Sequence, residues 1–138
     1  MSLDKKTIKA AAVALLDGLG EVHPMGHQDS KARRYVLRAD GGTPLEIMFE
    51  QDPKSSANLW VHARAAGSLA TKGKNKPASA LWTKIGKDGA PLYGRHSALE
   101  KMPQLGSADL ICFVPETLTD LGAILDQVLS ASAARITI

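Results

Sequence analysis

Cysteine occurs once in this sequence, at Cys112. An intramolecular disulfide is therefore excluded, and with it the stapled scaffolds of small secreted domains. Aromatic side chains are scarce: two each of Trp, Tyr and Phe, or 4%. That excludes a platform on which several bases stack side by side. No apolar run approaches the roughly 20 residues of a membrane-crossing helix. The N-terminus lacks the long apolar centre of a signal peptide; its most apolar stretch, Ala10 to Leu16, is short and alanine-rich and reads as one helix face. Missing too are a Walker loop, a dinucleotide fingerprint, a nucleophile elbow and a zinc spacing. No cofactor is expected. With no repeat and no linker, residues 1–138 are expected to form one domain, and the lone thiol fits the cytoplasm.

What the chain has is an ordinary globular composition, 44% apolar and 22% charged. Its length is enough to bury a core without a metal or a disulfide. Cys112 lies inside Leu110-Ile111-Cys112-Phe113-Val114, the most apolar run. A buried, inert thiol is expected there, because a nucleophilic cysteine needs an electropositive, partly exposed setting.

Charge is unevenly distributed. Residues 1–63 balance eight basic against eight acidic side chains. Residues 64–101 carry Arg64, Lys72, Lys74, Lys76, Lys84, Lys87, Arg95 and Lys101 against only Asp88 and Glu100, a net of +6. Residues 102–138 are net −3. A basic middle of this kind attracts polyanions.

The pattern predicts a first helix from Asp4 to Asp17, capped by Asp4 and stopped at Gly18 or Gly20. Ile8, Ala12, Leu15 and Leu19 fall at helical spacing beside Leu16, and Lys5, Lys6 and Lys9 form a solvated face. Arg34–Arg38 and Leu45–Glu50 alternate about an Asp40-Gly41-Gly42-Thr43 hairpin. A three-residue loop sets Arg38 opposite Glu46, Val36 opposite Met48 and Arg34 opposite Glu50, with Leu37 meeting Ile47 and Tyr35 meeting Phe49. That register places like with like on both faces. Asp52-Pro53-Lys54-Ser55-Ser56 is a turn. Asn58–Arg64 alternates again, with Leu59, Val61 and Ala63 toward the core. Gly67 to Pro77 shows no periodicity and reads as a loop. Leu81–Ile85 and Leu92-Tyr93 form a hairpin around Gly86-Lys87-Asp88-Gly89. Ser97-Ala98-Leu99-Glu100 is a capping box opening a short helix that Pro103 ends. Leu110–Val114 is a central strand. Thr117-Leu118-Thr119-Asp120 caps a last helix with a stripe of Leu118, Leu121, Leu125 and Val128. Arg135–Ile138 alternates and suits an edge strand. The fold class is α+β: an antiparallel sheet of four to six strands with the N- and C-terminal helices packed on one face.

Four clusters carry candidate chemistry. Lys72, Lys74, Lys76, Lys84 and Lys87 accompany Trp82 and Tyr93, the mixture of cations and stacking rings used on nucleic acid. Arg95, His96 and Ser97 precede a helix start, where backbone N–H groups favour an anion. On the outer sheet face, Glu46, Glu50 and His62 are candidates for a hydrolase or nuclease site, shared with Arg34, Arg38, Trp60 and Arg64. Against it, each glutamate faces an arginine, so a solvated face of cross-strand ion pairs is favoured. A restriction-type nuclease also needs Glu-x-Lys on the following strand, which Val61-His62-Ala63-Arg64 lacks. His23, His27 and Asp29 are acceptable metal ligands, yet Pro24 and Gly26 remove any spacing that would aim both imidazoles at one point. An exposed loop without metal is expected. The leading functional expectation is a small cytoplasmic binding domain for nucleic acid or another polyanion. The hydrolase site is the alternative, with a protein-interaction or homodimerisation module as the third.

Overall fold

A computed structural model describes residues 4–39, 42 and 44–130. Helix α1 (Lys5–Leu19) starts where Asp4 accepts the N–H of Thr7 at 2.7 Å, and Gly20 ends it. Five strands follow in the first half and middle of the chain: β1 (Gly20–Val22), β2 (Ala32–Arg38), β3 (Pro44–Glu50), β4 (Leu59–His62) and β5 (Lys74–Lys76). Between β4 and β5 lie a single-turn helix, α2 (Ala63–Ala66), and a 3-10 stretch at Gly67–Lys72. A small hairpin of β6 (Lys84–Ile85) and β7 (Pro91–Leu92) comes next, then β8 (Leu110–Phe113) and helix α3 (Leu118–Leu129). Thr117 caps α3 by accepting the N–H of Asp120 at 3.0 Å.

The fold is α+β. The main sheet is six-stranded and antiparallel, in the order β1-β2-β3-β4-β8-β5. Helices α1 and α3 pack on one of its faces. Ile8, Ala12 and Leu16 of α1 share a core with Tyr35, Leu37, Ile47, Phe49, Leu59 and Val61, and with Leu121, Ile124, Leu125 and Val128 of α3. The apolar stripes are narrower or displaced relative to the sequence pattern. Leu16 is buried while Leu15 and Leu19 are exposed; Ile124 joins the α3 stripe while Leu118 is 56% exposed. In both helices the buried positions keep i, i+3/i+4 spacing, which fixes one face only.

The other sheet face, expected to meet solvent, is covered. Residues 93–108 fold across it and build a second core in which Met48, Trp60, Leu110 and Cys112 of the sheet meet Ala98, Leu99, Met102 and Leu105. Gly106 permits the tight wrap: a Cβ there would lie 2.7–2.9 Å from the carbonyl oxygens of Leu99, Glu100 and Met102.

This second layer also explains the β2–β3 register. Arg38 lies opposite Pro44, Val36 opposite Glu46, Arg34 opposite Met48, Leu37 opposite Leu45 and Tyr35 opposite Ile47. The pairing is displaced by two residues from the like-with-like register, so each side chain keeps its face but changes its partner. Arg34 does not face Glu50, nor Arg38 Glu46. Matching charges across strands selects a register only on a solvated face, and this face is a core. Of the hairpin loop, Ala39 and Gly42 are described; Gly42 donates to the Ala39 carbonyl at 2.9 Å with φ +82°.

Three further elements differ from the sequence pattern. The 67–77 segment is not a structureless loop: after the 3-10 stretch, Lys74–Lys76 pair with Leu110–Cys112 as an edge strand. Ala63 and Arg64 turn into α2 rather than extending β4. Lys9 is buried, its Nζ donating to the carbonyls of Asp52 and, at 2.6 Å, Ser55. The Asp52 turn is held in shape by its own carboxylate, which accepts the N–H groups of Lys54 and Ser55 at 2.8 Å each. A hairpin forms about the expected turn at 86–89 but is shorter than the pattern suggests: Lys84 pairs with Leu92 and Ile85 with Pro91, while residues 81–83 and Tyr93 lie outside its strands. The Arg135–Ile138 strand falls outside the described residues.

Candidate nucleic-acid interface

The basic middle resolves into two pieces. Lys72 ends the 3-10 stretch, and Lys74 and Lys76 lie on β5, at the end of the main sheet. Lys84 lies on β6 and Lys87 in the turn that follows. Lys72, Lys74, Lys84 and Lys87 are exposed and Lys76 is half-buried. Among the described residues none of the five forms a salt bridge.

Arg95 ties the first piece to the covering segment. Its guanidinium donates to the carbonyls of Lys76 (2.8 Å), Ala108 (2.6 Å), Leu105 (3.2 Å) and Gly106 (3.5 Å). The end of β5 and the covering segment are thereby gathered on one planar fork, three residues beyond β7. Tyr93 adds a second tie, donating from its hydroxyl to the Gly106 carbonyl at 2.6 Å. The sequence pattern assigns Arg95 to an anion; in the fold its donors are taken by backbone oxygens. The expected helix beyond it is a single 3-10 turn, Ser97–Leu99, and its cap is His96, whose Nδ1 accepts the N–H of Ala98 at 3.0 Å. Ser97 does not cap; its hydroxyl accepts from Gln28 at 3.4 Å. One 3-10 turn aligns too few peptide dipoles to make the anion site that a longer helix would offer.

Trp82 stands at the hairpin base. It is 49% exposed and has φ +62°, a left-handed conformation that bulky L residues rarely adopt. Such a backbone costs about 1–2 kcal/mol for a residue with a Cβ. Its indole packs against Tyr93, ring centroids 5.5 Å apart and planes at 59°. Ile85 and Leu92 on the same hairpin are 61% and 48% exposed. The scarcity of aromatic residues by itself singles out Trp82 and Tyr93 beside the lysines. The positive φ is not legible in the sequence, because the neighbours Leu81 and Thr83 carry no turn signal.

The outer-face candidates serve the scaffold. Glu46 is buried and accepts the N–H groups of Gln104 (2.7 Å) and Leu105 (3.1 Å); its second oxygen lies 2.5 Å from His23 Nε2. Glu50 accepts the indole N–H of Trp60 at 2.7 Å. His62 caps α2 through Nδ1, which accepts the N–H of Arg64 at 3.2 Å. Burial, with the Arg64 charge, holds the His62 imidazole below its ordinary pKa. Arg34, expected as a partner of Glu50, donates instead to the carbonyls of Ala98 (2.9 Å) and Gly26 (3.0 Å). Arg38 pairs with Glu21 at 3.7 Å. Glu46 and Glu50 are four positions apart on one strand, roughly 13 Å, too far to share a proton or a metal. Each of the three candidates of the expected hydrolase site is engaged by a different N–H donor of the fold.

The histidine segment is likewise built in. Pro24 and Met25 are exposed, but the His23 side chain is buried; its Nδ1 accepts the N–H of Met25 at 3.0 Å, which leaves the ring proton on Nε2, facing Glu46. His27 Nδ1 accepts the N–H of Arg34 at 3.0 Å, and the ring tilts against Tyr35. Burial, with the Arg33 charge, lowers its pKa. Asp29 is exposed. Among the described residues no group of three or more His, Cys, Asp or Glu side chains is placed to hold a metal ion. Cys112 is buried, and burial together with the Glu50 charge pushes its thiol up to about 12.

No family model, curated protein or solved structure matches the chain. Among the described residues no helix is long and apolar enough to cross a membrane.

Proposed function

We propose that this chain binds a nucleic-acid backbone, or a polyanion of equivalent charge, through Lys72, Lys74, Lys76, Lys84 and Lys87. One observation carries the reading: five lysines without acidic partners among the described residues lie on β5 with the stretch before it and on the hairpin, and Arg95, three residues beyond that hairpin, is bonded to the Lys76 carbonyl. An edge strand gains from lysines in any case, because they discourage pairing with another chain. That accounts for Lys74 and Lys76. It does not account for Lys84 and Lys87, which belong to the separate hairpin. Arg95 positions β5 against the covering segment and is not itself a ligand for the anion.

The test is a salt series against duplex DNA, single-stranded DNA and RNA. Binding should weaken linearly in log salt. Replacing Lys72, Lys74 and Lys76 together by alanine should flatten that slope by up to about 0.9 for each duplex phosphate that is no longer neutralised. A wild-type protein that stays unbound to all three up to about 10⁻⁴ M at physiological salt overturns the proposal.

A further inference from the structure

Resting on that reading, we propose that the ligand is single-stranded and that one unpaired base stacks on Trp82. The indole is half-exposed although it is among the largest apolar groups in the chain. Its backbone is held at φ +62°, so the ring is presented at the expense of local conformation. Tyr93 backs it at a tilt, and Tyr93 is itself pinned by its hydroxyl to Gly106. A ring so backed loses little freedom when a base settles on its exposed surface. Lys84 follows two residues on, Lys87 lies in the hairpin turn, and the Lys76 carbonyl is bonded to Arg95, three residues beyond the hairpin. A backbone running past these lysines would deliver a base to Trp82.

The geometry favours a single strand over a duplex. In a duplex the base faces are occupied by their neighbours, and a side chain reaches one only by unstacking the helix. In a single strand every base has an available face, and stacking there is tolerant of sequence. Tyr93 backs Trp82 rather than extending the surface, so one base is held and no run of bases is read. The expected ligand is any single-stranded DNA or RNA segment, with weak sequence preference.

The experiment compares an oligo(dT) and an oligo(U) of about 12 nucleotides, the same oligo(dT) with abasic sites, a duplex and inorganic polyphosphate. Affinities are read by competition against a labelled oligo(dT), and tryptophan emission is followed in parallel. Trp60 is buried against Glu50, so ligand-dependent quenching reports Trp82. Wild type should bind the base-bearing single strands more tightly than the abasic one, with quenching. Trp82→Ala should lose between about 5- and 150-fold for oligo(dT) and nothing for the abasic strand or polyphosphate, while Trp82→Phe retains most of the affinity. Equal binding of abasic and base-bearing strands by wild type overturns the stacking proposal and leaves the polyanion reading standing. So does a Trp82→Ala loss that is equal for polyphosphate. Tighter binding of duplex than of single strand overturns the strand preference. Failure of wild type to bind any of the five ligands removes both readings.

Discussion

Glu46 and Gln104 exchange hydrogen bonds reciprocally: the Glu46 carboxylate accepts the Gln104 N–H at 2.7 Å, and the Gln104 side-chain oxygen accepts the Glu46 N–H at 2.9 Å. This clasp attaches the covering segment to β3 and lies beside the second core. Each partner satisfies a buried backbone donor of the other.

Removing the carboxylate should therefore destabilise the fold more than a surface change would. Glu46→Ala leaves the N–H groups of Gln104 and Leu105, and the His23 ring N–H, without their acceptor. We expect a loss of about 2–5 kcal/mol in urea unfolding, since unsatisfied buried donors each cost about 1–3 kcal/mol. A loss under about 0.5 kcal/mol would mean that the covering segment is held by its apolar contacts alone.

The two leucines of the expected α3 stripe should separate cleanly. Leu125 is 3% exposed and Leu118 is 56% exposed. Leu125→Ala should cost about 2–5 kcal/mol, and Leu118→Ala no more than about 0.5 kcal/mol. Equal effects of the two substitutions would show that Leu118 is covered by a partner in solution.

Acid should weaken the protein through two histidines that the fold keeps neutral, buried His62 and half-buried His27. The imidazoles of His62 and His27 have pKa values lowered from 6.5 in the folded chain, chiefly by burial. The unfolded chain therefore takes up protons first as pH falls. Stability is full above about pH 7, declines as pH drops through the unfolded value near 6.5 and levels off below the folded values. His62→Asn keeps an acceptor for the Arg64 N–H but cannot titrate. Its stability should fall less between about pH 7 and pH 5 than that of wild type.

Trp82 offers a test of what its backbone is for. Trp82→Gly removes about 1–2 kcal/mol of left-handed strain and loses both the burial of half an indole, about 1 kcal/mol, and an aromatic pairing worth about 0.5–1.5 kcal/mol beyond that burial. Thermal unfolding should then place the variant within about 2 kcal/mol of wild type. A loss of about 3–5 kcal/mol, the range for a core aromatic truncation, would assign the indole to the core and not to a ligand.

Cys112 should resist labelling by an aromatic disulfide reagent in the folded state and react stoichiometrically once denatured. Its thiol is buried and pushed up to about 12, so almost no thiolate is present at neutral pH. Rapid labelling without denaturant would mean that the second core opens readily.

Local pattern by itself determined the α+β class, the helices capped by Asp4 and Thr117, the alternation of β2 and β3, the Lys84–Leu92 hairpin and the burial of Cys112. Each follows from residues within a few positions of one another: a cap and its N–H, a period of two, a turn between short strands. The lysines and the Trp82–Tyr93 pair were equally legible, because charge and ring count need no coordinates. Tertiary structure alone decided the rest. The alternation of β2 fixes which face Arg34 takes but not whether water or residues 93–108 will cover that face, and the covering cancels the charge-matching argument for register. Lys9, Arg95 and His96 read as surface groups by type; distant carbonyls claim Lys9 and Arg95, and His96 turns inward on the N–H of Ala98. Glu46, Glu50 and His62 share a sheet face as the alternation requires, but each is taken by a different backbone or ring N–H. The partners of His62 and His96 lie two residues on, but those of Lys9, Arg95 and Glu46 depend on which distant segment arrives to complete the hydrogen bond, and no spacing along the chain encodes that arrival.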